Sequence, residues 1–391
     1  MSTTIEEENN NVVLPSYVTI IEKLNTAIDT LDVKVTDPDT FKMPTRPQVV
    51  KAAKTLSHEI TKITLLLQDS RAKPQFFSNI EECLDNMFSI YQGLSSHSGG
   101  SLFRSSQIYF RRVYKSLLSI LTDFMENEKR LGDDEENILP KERVGTAWKS
   151  CETFESIPLR NATAIAERMR ELTDLMYDAF DEVDEIKDAI DNYKNRAAAA
   201  EQQGTQTQTS NGKPSAQAEQ DDDDEEDEEL NGEVDDDDAI DDEEDVFIED
   251  NVDNNSFRML TDEEMSAIES IQELSHDSYD LADSFATYIT DREPTDPAKL
   301  EDPATDLDQK TLALYEDFVN QFNELSKIVD DVASGIYPPQ NTHFISGNIT
   351  YLRAKLNELT KRFETESITF KDYTHHDLIA KMLPSMKITD N

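Results

Sequence analysis

Between residues 162 and 193 the apolar residues recur strictly at steps of three and four. Apolar residues at this spacing lie on one stripe of an α-helix, and a stripe kept over about nine turns is typical of a long helix packed lengthwise on other helices. This seam includes Ile165, Met169, Leu172, Met176, Val183, Ile186 and Ile190. The segment therefore predicts a helical bundle or a coiled coil.

The partner of the seam is either a second copy of the chain, in a zipper, or other helices of the same chain. Two-stranded coiled coils are specified by Ile and Leu in the seam. Here alanines at 162 and 179 and methionines at 169 and 176 interrupt such residues, and flexible Met suits an irregular core. We expect the seam to form part of the core of a helical bundle, and a dimeric zipper is the alternative.

Helical spacing also extends over most of the remaining chain, so the predicted fold class is all-α. Earlier stripes occupy residues 17–31, 49–67, 77–94, 110–124 and 144–154, and later ones occupy 265–289, 307–332, 345–363 and, briefly, 378–382. Thr261 and Glu264 form a capping-box pattern at the start of one of these helices. Nothing in residues 1–196 predicts a sheet.

An acidic tract divides the helical pattern. In residues 221–250, 21 of 30 residues are Asp or Glu and none is Lys or Arg. Dense like charge with few apolar residues cannot offset the entropy of ordering, so a disordered linker is predicted over 201–258. The predicted domains are a disordered N-terminus (1–14), a bundle of about five long helices (15–200), this linker, and a bundle of three to four helices (259–391).

The net charge of −46 disfavours direct binding of nucleic acid and of anionic membranes. It favours protein partners with basic or amphipathic-helical surfaces. Only two cysteines occur, too few for a disulfide framework, and no stretch of about 18 apolar residues is present. A soluble, intracellular protein is expected, and its oligomeric state is left open.

No sequence motif of catalysis or of cofactor binding is found. Phosphate-binding glycine loops, nucleophile elbows and paired Cys-x-x-Cys are all absent from the sequence. His375, His376 and Asp377 are adjacent, but three successive residues cannot share one helical face, so an exposed turn is favoured over a metal site. We expect no enzyme activity, no cofactor and no metal.

Two patterns are candidates for protein interaction. Arg104, Arg111 and Lys115 share one helical face, which can hold an acidic partner or the chain's own acidic tract, although a solvated face is favoured. Val246, Phe247 and Ile248 lie among carboxylates, an alternation found in disordered docking motifs and equally compatible with a spacer.

A structural corner is predicted after the helix over 307–332. Gly335 can end that helix, and the two prolines that follow prevent its continuation. The segment should steer its apolar side chains onto the bundle. The corner consists of Gly335, Ile336, Tyr337, Pro338 and Pro339.

Three stretches resemble the family of Grap2 and cyclin-D interacting proteins, also called cyclin-D-binding proteins. They are AAKTLSHEITKITLLL at 52–67, AWKSCETFESIPLRNATAIAERM at 147–169 and VDDVASGIYPP at 329–339. The last is the most specific.

The resemblance implies two helical bundles of talin-like topology with an acidic segment between them. It also implies a nuclear and cytoplasmic regulator that binds D-type cyclins and helix-loop-helix transcription factors and restrains cell-cycle progression. The residues alone leave two alternatives, an acidic chaperone of histones or ribosomal proteins that uses 221–250, and a cytoskeletal helical-bundle adaptor. No basic arm precedes the seam, so direct DNA binding is not expected.

Overall fold

The computed structural model describes residues 17–37, 40–68, 74–130, 141–206, 260–296, 300, 306–337, 342–368 and 370. Across these ranges the chain forms nine α-helices and no strand, which confirms the predicted all-α class. The helices are α1 (Tyr17–Thr30), α2 (Arg46–Gln68), α3 (Pro74–His97), α4 (Gly100–Arg130), α5 (Lys141–Glu152), α6 (Asn161–Gln206), α7 (Asp262–Thr290), α8 (Gln309–Ser334) and α9 (Thr342–Thr365). Of the helices described, none is long and apolar enough to cross a membrane.

Helices α1 to α5 enclose one hydrophobic core. Its aromatic centre lies between α3, α4 and the short 3-10 turn after α5, where the ring of Phe110 packs 5.3 Å from Tyr91 and 4.9 Å from Phe154. Edge-to-face rings of this kind add stability beyond the area they bury. The hydroxyl of Tyr91 donates to the carbonyl of Leu31, which ties the end of α1 to α3.

Helices α6 to α9 enclose a second core. Phe285 of α7 packs against Phe318 and Phe322 of α8 and against Phe363 of α9, with ring centroids 5.2 to 5.7 Å apart. The first turn of α7 has the predicted capping box, in which Thr261 Oγ1 accepts from the Glu264 amide and the Glu264 carboxylate accepts from the Thr261 amide. This cap satisfies amides that the helix start otherwise leaves without acceptors.

The long helix α6 contributes its buried seam to the second core. Ile165, Met169 and Ile190 are buried against α7 and α8, so α6 packs with helices that follow it in the sequence. The prediction that residues 15–200 form one bundle therefore differs from the packing, which divides the chain near residue 160. A strict spacing identifies the buried face of a helix but carries no information about which helices cover it.

Helix α6 is also longer than predicted, because residues 201–206, assigned to the linker, complete it. Ala197 to Ala200 precede them, and alanine has the highest helix propensity of any residue. The segment that separates α6 from α7 thus connects two helices of the same core. The predicted linker from residue 207, the N-terminus 1–14 and the short helix at 378–382 lie outside the described residues.

Side-chain contacts fix the direction of α7 against α6. Thr163 donates to Glu293, Arg170 donates to Thr290, and Lys187 donates to Gln272, so the two helices run antiparallel. Helix α8 runs parallel to α6, since Arg168 bonds Asn323 and Glu182 bonds Tyr337. Helix α9 runs antiparallel to α8, since Tyr351 bonds Glu324 and Arg362 pairs with Asp317. The four helices therefore alternate in direction, as in up-down bundles.

The two bundles meet where carboxylates from the second cap helices at the junction. Glu316 of α8 accepts from the Ser101 amide at 2.8 Å and from its hydroxyl at 3.0 Å, in the first turn of α4. Asp306 accepts from the Asn161 amide at 2.8 Å, at the start of α6. Helix N-termini favour negative charge, so each contact stabilises a helix start, and the contact between Glu316 and Ser101 also joins the bundles.

Gly99 makes this junction possible. The Asn161 side chain accepts a hydrogen bond from the Gly99 amide and donates another to the His97 carbonyl. A Cβ atom at position 99 would lie 2.5 Å from Glu316 Oε1 and 2.8 Å from Leu312 Cδ1, closer than real contacts allow. A residue without a side chain is required for this approach.

Candidate protein-interaction surfaces

A groove on the second bundle combines concavity, an exposed tyrosine ring and negative charge. It lies between α6 and α7 and has a volume of about 540 Å³. We call it the tyrosine groove. Its lining consists of Arg170, Thr173, Asp174, Tyr177, Tyr279, Asp283, Ala286, Thr287, Thr290 and Asp291.

Four aromatic rings form a continuous row at one end of this groove. Tyr177 lies 5.6 Å from Tyr279 and 6.4 Å from Phe180, and Phe180 lies 5.4 Å from His276, all between ring centroids. Tyr177 remains 47% exposed. The row therefore offers ring surface to an incoming side chain while its other faces pack together.

The row follows from helical spacing on both sides of the groove. On α6, Thr173, Tyr177 and Phe180 follow each other at steps of four and three, immediately beside the buried seam. On α7, His276, Tyr279 and Asp283 do the same beside the buried Ser275, Ser278 and Ala282. Because α6 and α7 are antiparallel, the two edge stripes face each other.

The groove carries carboxylates without matching cations. Asp174 and Asp283 have no hydrogen-bond or ion-pair partner among the described residues. Burial, followed by the negative charges of Asp283 and Asp280, raises the pKa of the Tyr279 hydroxyl above its ordinary value. The aromatic end of the groove thus has a negative potential.

The only cation of the lining is Arg170, at the other end, where its guanidinium donates to Thr290 Oγ1 at 3.0 Å. Asp291 lies at the same end, next to Thr290, whereas Asp174 and Asp283 lie near the tyrosine rings. Sequence reasoning missed the site, although one signal was present: Tyr177 and Phe180 are aromatic residues at edge positions of the seam that polar residues otherwise fill.

The predicted basic face lies on α4 of the first bundle, on a convex helix surface. Arg104 and Lys115 are exposed, whereas Arg111 is half-buried and pairs with Asp32 at 2.6 Å. Asp32 also accepts from Gln107, so this pair fastens the end of α1 to α4. The structure therefore gives Arg111 a packing contact and leaves two exposed cations.

The predicted corner packs on the second bundle. Ile336 is fully buried in that core, and the half-buried Tyr337 donates its hydroxyl proton to Glu182 at 2.6 Å. Helix α8 ends at Ser334, and Gly335 follows in ordinary right-handed geometry with φ −75°, so the left-handed cap that glycine permits is not used. Pro338 and Pro339 lie outside the described residues.

The seam residues from Ile165 to Ile190 that we predicted as core are all buried against the helices of the second bundle. Val246, Phe247 and Ile248 lie outside the described residues, as do His375, His376 and Asp377. Among the residues described, no group of His, Cys, Asp and Glu has the arrangement of a metal site. Burial raises the pKa of the Cys83 thiol to about 11 and that of Cys151 to about 12, so both are protonated at neutral pH.

A cleft of about 460 Å³ also adjoins the junction of the bundles. Its walls include Met43, Leu159 and Leu307, with Arg46 and Glu293 beside them. Arg46 donates to the Glu155 carbonyl and Glu293 accepts from Thr163, so both charged groups serve the packing around the junction. We assign this cleft to the interface between the bundles.

Comparison with known proteins gives two family matches. Residues 48–189 match the family model described as Grap2 and cyclin-D-interacting, N-terminal, and residues 220–361 match the corresponding C-terminal model. Together the two ranges cover 284 of the 391 residues. No curated protein matches the chain. The N-terminal match ends at residue 189, near the end of the α6 seam, whereas the division between the two cores falls before that seam.

Proposed function

We propose that this chain, which belongs to the Grap2 and cyclin-D-interacting family, is a non-enzymatic regulator that acts by binding other proteins. The match of both halves of the chain to that family carries the proposal. The partners that the family resemblance implies are a D-type cyclin and helix-loop-helix transcription factors. Nuclear and cytoplasmic localisation, and restraint of cell-cycle progression, belong to the same proposal.

The architecture supports a binding role. Glu316 caps α4, and Asn161 bonds Gly99 and His97, so side chains of the second bundle fasten it to the first, and each bundle presents its surface on packed helices. Binding sites on such rigid elements lose little conformational entropy when a partner arrives. The acidic surface favours partners with basic faces and steers their approach.

The test is direct binding between the purified full-length chain and a D-type cyclin or a helix-loop-helix factor, measured by titration calorimetry. We expect saturable binding to at least one of them at physiological salt. If the chain is folded by circular dichroism and binds neither class of protein at any salt concentration, the proposed partners are wrong.

A second candidate function is an acidic chaperone of histones or ribosomal proteins, favoured by the 21 acidic residues in 221–250. If this tract only steers partners, its replacement by Asn and Gln should slow association several-fold at low salt and leave dissociation nearly unchanged. Loss of all partner binding at every salt concentration would instead assign the activity to the tract and favour the chaperone.

A further inference from the structure

The tyrosine groove has the dimensions of a helix-binding site. Along α7 its lining extends from Tyr279 to Asp291, about 18 Å at the rise of an α-helix. A partner helix of about 12 residues fits this length, and a groove between two antiparallel helices accepts a third helix through anchors one turn apart. The walls are built from helices of a packed bundle, so the groove exists before a partner arrives.

The charges of the groove favour a partner helix that carries positive charge. Asp174 and Asp283 have no cationic partner among the described residues, and they flank the exposed ring of Tyr177. A Lys or Arg side chain placed there gains an ion pair and, over the ring face, a cation–π contact. The negative charge of the whole chain adds long-range attraction to the same ligand and repels an acidic one.

We infer that the tyrosine groove binds a basic amphipathic helix of a partner protein. Its apolar face lies against the aromatic row, and a Lys or Arg enters between Asp174 and Asp283 over the Tyr177 ring. The two carboxylates without a cationic partner among the described residues, Asp174 and Asp283, lie near the tyrosine rings, so the partner's basic residues concentrate at that end. This inference rests on the proposed binding function and names the surface and the partner chemistry for it.

The test uses the full-length chain and two labelled peptides of 18 residues. In both, Leu recurs at steps of three and four; the polar face is Lys in one and Glu in the other. Fluorescence anisotropy should show binding of the Lys peptide and none of the Glu peptide. Equal binding of both peptides would overturn the inference, because the groove would then recognise apolar surface without regard to charge.

Three variants locate the binding. The double replacement Asp174→Asn and Asp283→Asn should weaken the Lys peptide about tenfold at low salt and far less at 1 M salt. Tyr177→Ala should weaken it three- to tenfold, whereas Tyr177→Phe should retain it, because a phenyl face also attracts cations. Undiminished affinity in both the double variant and Tyr177→Ala would overturn the assignment.

Leu175→Ala is the matched control. Leu175 lies on the same helix, is 54% exposed and is not part of the groove lining, so its removal should leave affinity and melting unchanged. Sedimentation of the free chain adds a further check. A dimer that Tyr177→Ala and the double variant both dissociate would assign the groove to a second copy and overturn the basic-helix inference.

Failure of this inference is distinguishable from failure of the proposed function. If the wild-type chain binds a cyclin or a helix-loop-helix factor and the groove variants bind it equally well, the function stands and the groove is not its site. If the Lys peptide binds in the groove but neither protein class binds the chain, the groove stands and the proposed partners are wrong.

Discussion

The two bundles are built from helices of the same apolar spacing, but the chain connects them differently. In the first, distant helices also pack together, as α1 does with α4 and α2 with α5, but other helices of the same bundle lie between them in the sequence. In the second, α6 and α7 are the most extensively packed pair, although the 55 residues 207–261 separate them. Sequence distance is therefore a poor guide to which helices share a core.

The energetic reason is that loop closure costs little more for a long loop than for a short one. Lengthening a connection from about 10 to about 55 residues adds roughly 1.5 kcal/mol of closure entropy. Burial of a single Leu or Ile contributes about 1.5 to 3 kcal/mol, and the α6 seam buries Ile165, Leu172, Ile186 and Ile190 among others. The packing of α6 with α7 outweighs the cost of the long connection.

The largest expected effect concerns the boundary between the two bundles, which the packing places near residue 160. If α6 belongs to the second core, residues 161–391 should unfold cooperatively as a fragment, and residues 201–391 should lose cooperative unfolding because the seam is missing. Thermal unfolding followed by circular dichroism at 222 nm and by near-ultraviolet signals distinguishes the two fragments.

The matched pair is residues 1–160 and 1–200. The fragment without α6 should melt as cooperatively as the longer one, which would carry an unpartnered apolar seam and should associate. If the fragment 1–160 is unfolded and the fragment 1–200 is a folded monomer, α6 belongs to the first bundle. The proposed division near residue 160 would then be wrong.

Most of the secondary structure could be predicted because each helix carries local signals. The stripe through Ile20 and Leu24 and the capping box at Thr261 depend on residues within a few positions of each other. The assignment of α6 could not be predicted in this way, since both bundles need an apolar helix of the same kind. Only the contacts across the long connection decide it.

The second largest effect is expected at the corner that follows α8. Tyr337→Ala removes a half-buried ring and the hydrogen bond to Glu182, and should lower the free energy of unfolding by about 2 to 3 kcal/mol. Tyr337→Phe should cost about 1 kcal/mol, because the ring remains. Denaturant titration measures both. Tyr351→Phe, whose hydroxyl bonds Glu324 on an exposed surface, is the control and should be nearly neutral.

Tyr337 should also make the stability of the chain depend on pH in the alkaline range. Burial, and then the bond to Glu182, raises the pKa of Tyr337 above its ordinary value, so the folded chain holds a proton that the unfolded chain releases near pH 10. In the first bundle, burial raises the pKa of Tyr91 to about 12. Stability should be full below pH 10 and decline as pH rises above it, and Tyr337→Phe should reduce the slope. If the slope of stability against pH is unchanged in Tyr337→Phe, Tyr337 does not contribute to the loss of stability above pH 10.

The binding surface was less predictable than the core. Tyr177 and Tyr279 lie 102 positions apart, and each alone is an ordinary edge residue of an amphipathic helix. Their juxtaposition depends on the antiparallel register of α6 and α7, which the sequence pattern does not contain. The basic face on α4 was visible in the sequence because its three cations belong to one helix.

A smaller effect is expected at the junction between the bundles. Glu316→Ala removes the acceptor for the Ser101 amide and hydroxyl, and should cost about 1 kcal/mol, as for loss of a helix cap. Hydrogen exchange at residues 100–102 should accelerate, whereas Glu324→Ala should leave that exchange unchanged. Gly99→Ala should act in the same direction, since the added methyl group displaces the Glu316 carboxylate. Unchanged exchange in both junction variants would mean that the bundles are held by other contacts.

The smallest effect should appear on the basic face of α4, which sharpens the contrast with the tyrosine groove of the second bundle. Arg111→Ala breaks a partly exposed pair with Asp32 and should cost about 0.5 kcal/mol, while Arg104→Ala and Lys115→Ala should each change stability by less than the error of denaturant titration. The reason is geometric: cations on the outer face of α4 stay hydrated, whereas Asp174 and Asp283, although exposed, line a groove that a bound helix would cover, so a partner's charge there interacts with less screening. Partner affinity should accordingly respond to the groove variants and not to Arg104→Ala with Lys115→Ala. A loss of affinity in that α4 variant comparable to the loss in Asp174→Asn with Asp283→Asn would show that the first bundle also binds through charge, to an acidic partner or to the acidic tract of the chain itself.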